Sequence, residues 1–255
     1  MTDIKSKLLN HDIIVGSWIT LGHFSIAEIM ADAGFDWLCV DLEHSFIDYS
    51  ELAHLIAVID RKDCIPFVRV GANNPLIIKR VLDAGARGII LPMINSMKNA
   101  KDAVDAVKYP PNGTRGVGLA RAQGYGFNFD GYAETVNYET IIIAQIEHIE
   151  AVNNLEEILR IEDVDATIIG PYDLSGSIGK PGKFNDPEVH QVLKRYEETS
   201  RESGKPMGYH VIEPDYRLVM EKIDAGYTFI AFSLDTLFFG SMCRQQMKEL
   251  MRKIR

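Results

Sequence analysis

Cysteine is scarce: three in 255 residues, at positions 39, 64 and 243. Odd in number, far apart and in no metal-ligand spacing, they exclude a disulfide framework and a thiolate metal centre. Reduced thiols in a cytoplasmic protein are the expectation. Positive charge is short as well, with 27 Lys and Arg against 36 Asp and Glu and a net charge of −9. Nucleic acid and an anionic membrane both need a basic surface, so neither is expected as a partner. No apolar run approaches the ~18–20 residues that cross a bilayer, and the opening MTDIKSKLLNHD has no signal-peptide core. Also absent are a Gly-x-x-x-x-Gly-Lys-[Ser/Thr] phosphate loop and a Gly-x-Ser-x-Gly nucleophile elbow. Lysine is missing from every predicted strand and strand end except Lys205, which precedes the seventh strand, and Lys180 and Lys183 fall in a long loop. A Schiff-base mechanism needs a lysine reaching the site, so carbonyl activation falls to a metal and an arginine.

What is present is an apolar content of 46% and a repeated turn. Asp-Ala-Gly followed by an apolar run begins at Asp32, Asp83 and Asp224. The glycine suits the left-handed residue that closes a helix, and the short connection suits an entry into a strand. Apolar periodicity predicts strands at 13–18, 36–41, 65–70, 88–92, 141–146, 164–169, 206–210 and 228–232. Helical patterns cover 24–33, 48–61, 74–84, 96–108, 149–160, 186–203, 214–225 and 237–253. Pro75, Pro187 and Pro214 lie just inside helix starts, where a missing N–H costs little. Eight alternations predict a single (β/α)8 TIM barrel over residues 1–255, with a doubly wound open sheet as the competing α/β fold. Two connections exceed that economy. Residues 109–138, rich in Gly and aromatics, are expected to form a lid or an interface, and the Gly-rich stretch 170–187 follows the sixth strand.

Barrel chemistry sits at the carboxyl ends of the strands, so the polar residues there are the candidates. They are Asp41, Glu43 and His44 after strand two, Arg69 on strand three, Gln145, Glu147 and His148 on strand five, and Asp173 after strand six. Tyr209 and His210 follow on strand seven and Asp235 after strand eight, with Trp18 ending strand one. Glu147 and Asp173 are the best metal pair, because two carboxylates completed by water and substrate oxygens suit Mg²⁺ or Mn²⁺. Gln145, two residues before Glu147, shares its strand face and would hold a water or the substrate. Tyr209 and His210 alternate, so at most one points inward. Each residue has an ordinary alternative: Asp173 as a helix cap, Asp41 as a turn brace, Arg69 as a surface ion pair, His44 as a hydrogen-bonded structural group. His11, His23, His54 and His190 have no such placement. Convergence on one rim favours the site reading.

The stretches AGFDWLCVDLEHS (33–45), PFVRV (66–70), IKRVLDAGARGIILPM (78–93), KYPPNGTRGVG (108–118), QIEHIEAVNNLEEI (145–158) and VDATIIGPYDLSGSIG (164–179) carry a resemblance. Together with GSWITL from 16 and DPEV at 186–189, the chain resembles the HpcH/HpaI aldolase family nearly throughout. These are metal-dependent pyruvate aldolases of the phosphoenolpyruvate/pyruvate barrel superfamily. The resemblance implies reversible cleavage of a 4-hydroxy-2-oxo acid, a 2-keto-3-deoxy sugar acid or a 4-hydroxy-2-oxo-dioate, to pyruvate and an aldehyde. It implies Mg²⁺, Mn²⁺ or Co²⁺ on Glu147 and Asp173, with no organic cofactor. His44 would be the general base oriented by Asp41, with Glu43 behind them, and Arg69 would stabilise the enolate oxygen. Gln145 would lie beside metal and substrate, and backbone amides over Gly170, Pro171, Tyr172 and Asp173 would take the pyruvate carboxylate. Asp83 would join the site's water network and Trp18 would line the entrance on the aldehyde side. Family members are commonly homo-hexamers that exchange a C-terminal helix; here the last helix carries Met242, Met247, Leu250 and Met251. Two departures stand out: His148 replaces a usual small hydroxyl residue, and GYHVIEP (208–214) is bulkier and more polar than usual. Both bear on the aldehyde half. Two rivals remain: a citrate-lyase-like acyl-CoA lyase, with Arg115 and Arg121 of loop 109–138 offering a CoA groove, and a catalytically idle binding module.

Overall fold

The structure, a computed structural model, describes residues 4–254. Strands β1 (Ile14–Ile19), β2 (Trp37–Asp41), β3 (Ile65–Arg69), β4 (Gly88–Leu91), β5 (Ile141–Ile146), β6 (Ala166–Ile169), β7 (Met207–Val211) and β8 (Phe229–Leu234) pair in parallel, in sequence order. β8 closes on β1, so the open-sheet alternative falls and the (β/α)8 barrel stands. Helix α1 (Ile4–Leu9) precedes the barrel. The connecting helices are α2 (Phe24–Ala31), α3 (Tyr49–Ile59), α4 (Pro75–Asp83), α5 (Met97–Val107), α6 (Phe129–Glu139), α7 (Ile149–Asn153), α8 (Leu155–Leu159), α9 (Pro171–Ser177), α10 (Pro187–Ser203) and α11 (Tyr216–Asp224). The chain then runs into α12 (Asp235–Ile254). No helix among the described residues is long and apolar enough to cross a membrane.

The glycines of the three Asp-Ala-Gly turns, Gly34, Gly85 and Gly226, all have positive φ, between 93° and 106°. Each lies where the chain leaves a helix and turns toward the next strand, a conformation that costs an L-residue its Cβ clearance. The repeat therefore marks three equivalent joints at the amino ends of the strands.

Inward-facing strand residues form one core and the strand–helix layer forms another. In the inner core Trp37 stacks on Phe229 at 4.6 Å and on Phe67 at 5.3 Å between ring centroids. Three large rings fit because glycines face them: a Cβ on Gly16 would lie 2.0 Å from Trp37, on Gly88 2.4 Å from Phe67, and on Gly208 2.7 Å from Phe229. Such alternation of large and absent side chains fills a tapering interior to close-packed density. Trp18 stands edge-on to this ring cluster and also borders a cavity whose other walls are partly polar.

The segment between α5 and β5 is not a lid over this chain's own site. It enters β5 at its first residue and so lies at the amino ends of the strands, the face opposite the candidate site. There Arg115 pairs with Asp83 at the end of α4 (2.7 Å) and Arg121 with Asp60 beyond α3 (2.7 Å). Asn137 of α6 brackets the backbone of Tyr109, accepting from its N–H (2.7 Å) and donating to its carbonyl (3.0 Å). Val117, Leu119, Tyr125, Phe127 and Tyr138 of this segment are exposed apolar or aromatic residues.

Candidate active site

Strand periodicity alone explains which side chains meet. Residues two apart share a face, so the rows that place Trp37, Phe67 and Ile143 in the inner core also carry Asp41, Arg69 and Gln145 to the inner rim. Asp41 and Arg69 are direct register partners across β2 and β3. Their side chains form a two-pronged pair, Arg69 Nε to Oδ1 at 2.9 Å and Nη2 to Oδ2 at 2.6 Å. Trp18 lies against the guanidinium, 4.4 Å from its carbon to the ring centroid. Trp18 is buried and edge-on to Trp37. It forms the inner wall of the cavity instead of lining its entrance, because β1 delivers it from the innermost row.

Asp41 also accepts from the backbone N–H of Glu43 (3.0 Å) and of His44 (3.3 Å). Burial opposes its charge, but Arg69 and these two amides outweigh it and hold the carboxyl below its usual range. Asp41 thus steers His44 through the main chain, not through the imidazole. The imidazole is largely exposed, with Nε2 3.9 Å from Glu43 Oε2. Glu43 lies 3.3 Å from Arg69 Nε, yet its buried Oε2 has no hydrogen bond. Burial, opposed by Arg69 and reinforced by Glu147, Asp41 and Asp173, pushes its carboxyl up to about 7.

Across the rim, Glu147 is held at both oxygens. Oε1 accepts from the Met93 amide (2.6 Å) and Oε2 from the Gln145 side chain. Met93 has a φ of 54°, so a non-glycine residue is kept in a left-handed conformation at the point where its N–H orients the carboxylate. Burial raises the Glu147 carboxyl above its ordinary value, with the Asp173 charge adding to that effect. Asp173 comes from the first turn of α9, behind Gly170 and Pro171. A Cβ built on Gly170 would sit 3.6 Å from Glu147 Oε2 and 3.9 Å from Asp173 Oδ2. Both carboxylates therefore border the space that the missing side chain leaves. Among the described residues no group of three or more His, Cys, Asp or Glu is placed to hold a metal. The donor set is this pair, two hard oxygen ligands that leave positions for water and substrate oxygens, which fits a hard divalent cation.

A cavity of about 260 Å³ joins these parts, bordered by Trp18, His44, Arg69, Gln145, Asp173 and His210. Gly170, Pro171 and Tyr172 border it too, and since proline has no N–H the available amides there are those of Tyr172 and Asp173. His210 points inward beside Trp18, while Tyr209 packs outward on Tyr227 and under Lys222. Burial, then the Arg69 charge, push the His210 imidazole down to about 4.

Asp83 is not brought to the site of its own chain, because α4 ends at the opposite face and Asp83 pairs there with Arg115. Asp235 has a structural role: its carboxylate accepts from the Thr20 and Leu21 amides, each at 2.8 Å, and from the Thr20 hydroxyl. His148 caps α7, its Nδ1 accepting from the Glu150 amide. Lys205 donates to the carbonyls of Ile161, Glu162 and Val164, far from the rim. Met93 escaped the reading from sequence, since a backbone amide leaves no trace in residue type.

The profile of the HpcH/HpaI aldolase/citrate lyase family matches residues 15–240. The chain is 34% identical to a hydroxypyruvate/pyruvate aldolase of Roseobacter denitrificans, over 92% of this chain and 91% of that protein. It is 33% identical to the 2-keto-3-deoxy-L-rhamnonate aldolase of Escherichia coli, over 95% and 91% respectively. Among solved structures, a HpcH/HpaI aldolase/citrate lyase family protein of Burkholderia cenocepacia superposes with a TM-score of 0.93 at 32% identity, covering 98% of this chain and all of that one. The barrel, its paired carboxylates and these likenesses over nearly the whole length have one reading: the chain belongs to the HpcH/HpaI aldolase/citrate lyase family.

Proposed function

We propose that the chain is a divalent-metal-dependent aldolase that reversibly cleaves a 4-hydroxy-2-oxo acid into pyruvate and an aldehyde. The observation that carries this reading is the space at Gly170 that Glu147 and Asp173 both border, beside a cavity lined by Gly170, Asp173 and Arg69. Glu147 and Asp173 would hold Mg²⁺ or Mn²⁺, with Co²⁺ as a further option. A bound ion supplies Lewis acidity toward the carboxylate and 2-oxo oxygens of the substrate.

The chain's own groups do the rest. Arg69 gives Nε and one Nη2 bond to Asp41, which fixes its plane and leaves Nη1 for the 2-oxo oxygen. Negative charge develops on that oxygen as the C3–C4 bond breaks and its electron pair moves into the enolate. A preorganised guanidinium stabilises such charge without reorienting. His44, at the mouth of the cavity, takes the proton of the 4-hydroxyl as the aldehyde forms, and a proton returned to C3 completes pyruvate. An imidazole nitrogen can take up a proton and give it back, which suits both directions. The amides of Tyr172 and Asp173, at the start of α9, would hold the pyruvate carboxylate. The acyl-CoA lyase reading is weaker, because Arg115 and Arg121 are committed to Asp83 and Asp60 at the opposite face.

The test needs no knowledge of the aldehyde. Pyruvate methyl signals are followed by NMR in D₂O with protein, with Mg²⁺ or Mn²⁺, and with chelator. Metal-dependent loss of signal is expected, and Arg69→Ala and His44→Ala should each lose most aldol turnover while remaining folded. No exchange from a folded, metal-loaded protein would overturn the pyruvate aldolase reading.

A further inference from the structure

We propose that His210, together with Trp18, selects the aldehyde, by hydrogen-bonding a hydroxyl group that the aldehyde carries. The inference rests on the aldolase reading and names the acceptor half of that same site. Both residues border the cavity, with ring centroids 5.5 Å apart. Each brings a buried polar atom that has no hydrogen-bond partner, Trp18 Nε1 and His210 Nε2. A buried polar group without a partner loses its hydration and gets nothing in return, so one such atom calls for an explanation and two on one wall call for a common one.

The chemistry of the two atoms is specific. On its other side the His210 ring meets the Ser233 main chain, whose carbonyl favours a proton on the nitrogen that faces it. The Ser233 position is itself unusual, with a φ of 51° next to the irregular register between β1 and β8. With the proton held at Nδ1, Nε2 of a neutral ring is an acceptor, whereas Trp Nε1 is only a donor. A donor beside an acceptor matches an alcohol, which accepts from one and donates to the other. A second carboxylate is matched poorly. Of the residues bordering the cavity only Arg69 is a lysine or arginine, its Nε and Nη2 are taken by Asp41, and its Nη1 is the donor assigned to the 2-oxo oxygen. Between the two substrate types open from sequence, this wall favours the sugar-acid type, with a hydroxylated uncharged aldehyde, over the dioate type. The bulk and polarity of GYHVIEP, which set this strand apart, then have a use: the histidine is the recognising group and its neighbour Tyr209 only packs outward.

The experiment measures kcat/KM for aldol addition of pyruvate to glycolaldehyde, to its isostere propionaldehyde and to succinic semialdehyde. Wild-type protein should prefer glycolaldehyde over propionaldehyde by about tenfold or more, as expected where a buried polar group loses its partner. In His210→Leu that ratio should fall to within about threefold of unity, and His210→Gln, which keeps an acceptor, should retain part of it. Pyruvate deuterium exchange and the melting temperature are followed in the same samples. A preference unchanged in both folded variants, or wild-type preference for succinic semialdehyde, overturns the role of His210 and leaves the aldolase reading standing. Absence of pyruvate exchange in the wild type removes the aldolase reading first, and this inference with it.

Discussion

Four carboxylates, Asp41, Glu43, Glu147 and Asp173, gather at one rim around a single guanidinium, and they share its charge unequally. Asp41 takes both prongs of Arg69, while Glu43, 3.3 Å away, is pushed up to about 7 by burial, against the Arg69 charge. A carboxyl whose folded-state pKa lies above its unfolded value of about 4.5 is stabilising only while protonated. Its contribution is therefore lost as pH rises from about 4.5 through 7. In chelator, the stability of Glu43→Gln relative to wild type should grow between pH 5 and pH 8, by up to about 3 kcal/mol. Urea unfolding at a series of pH values measures this, and a difference that stays flat with pH would remove the strain assigned to Glu43. The residue types of this rim are legible in the sequence because they end apolar runs. Their division of labour is not. That Asp41 grips Arg69 and not the His44 imidazole follows from the β2–β3 register, and the hold of Met93 on Glu147 spans 54 positions through a main-chain N–H.

Among elements, the eight strands were readable because each is a buried apolar run framed by turns, and every predicted strand overlaps an observed one. The helices were readable where an apolar stripe faces the barrel. The predicted helix 149–160 instead divides at Asn154, whose side chain donates to the Asn95 carbonyl (2.8 Å). Helices α6 and α9 escaped for lack of a clean stripe; α9 is built from PYDLSGS, a composition that reads as loop. Glycine's part in the strands could not be read either, since a missing side chain acquires meaning only opposite the ring that fills its place. That meaning is testable at Gly16. An added Cβ would meet Trp37 at 2.0 Å, and the indole cannot retreat because Phe67 and Phe229 stack on it. Gly16→Ala should cost about 3 kcal/mol or more, at the upper end of overpacking effects. Gly176→Ala, with nothing within 4 Å of the new atom, should be neutral or slightly stabilising. Denaturant midpoints compare the two, and equal midpoints would mean that the inner core is looser than three stacked rings imply.

At the scale of the molecule, the polar site occupies one end of the barrel and uncovered apolar surface lies elsewhere. Helix α12 leaves the barrel after Asp235 and exposes Phe239, Met242, Met247, Leu250 and Ile254, each at least half exposed. At 100° per residue these five fall within one stripe of about 140°. A contiguous apolar stripe facing water is a mark of an interaction surface, and the exposed aromatics between α5 and β5 add a second such area. We propose that other copies of the chain cover them, in a homo-oligomer that the family resemblance puts at six. Light scattering coupled to size exclusion should give a multiple of the 28.6 kDa chain mass. Met242→Glu combined with Leu250→Glu changes only exposed positions, so the barrel should keep its circular dichroism while the assembly dissociates to smaller species. A wild-type protein of single-chain mass, or a double variant that holds the full assembly, would leave the stripe on α12 without this role and return the question of its cover to the opposite face.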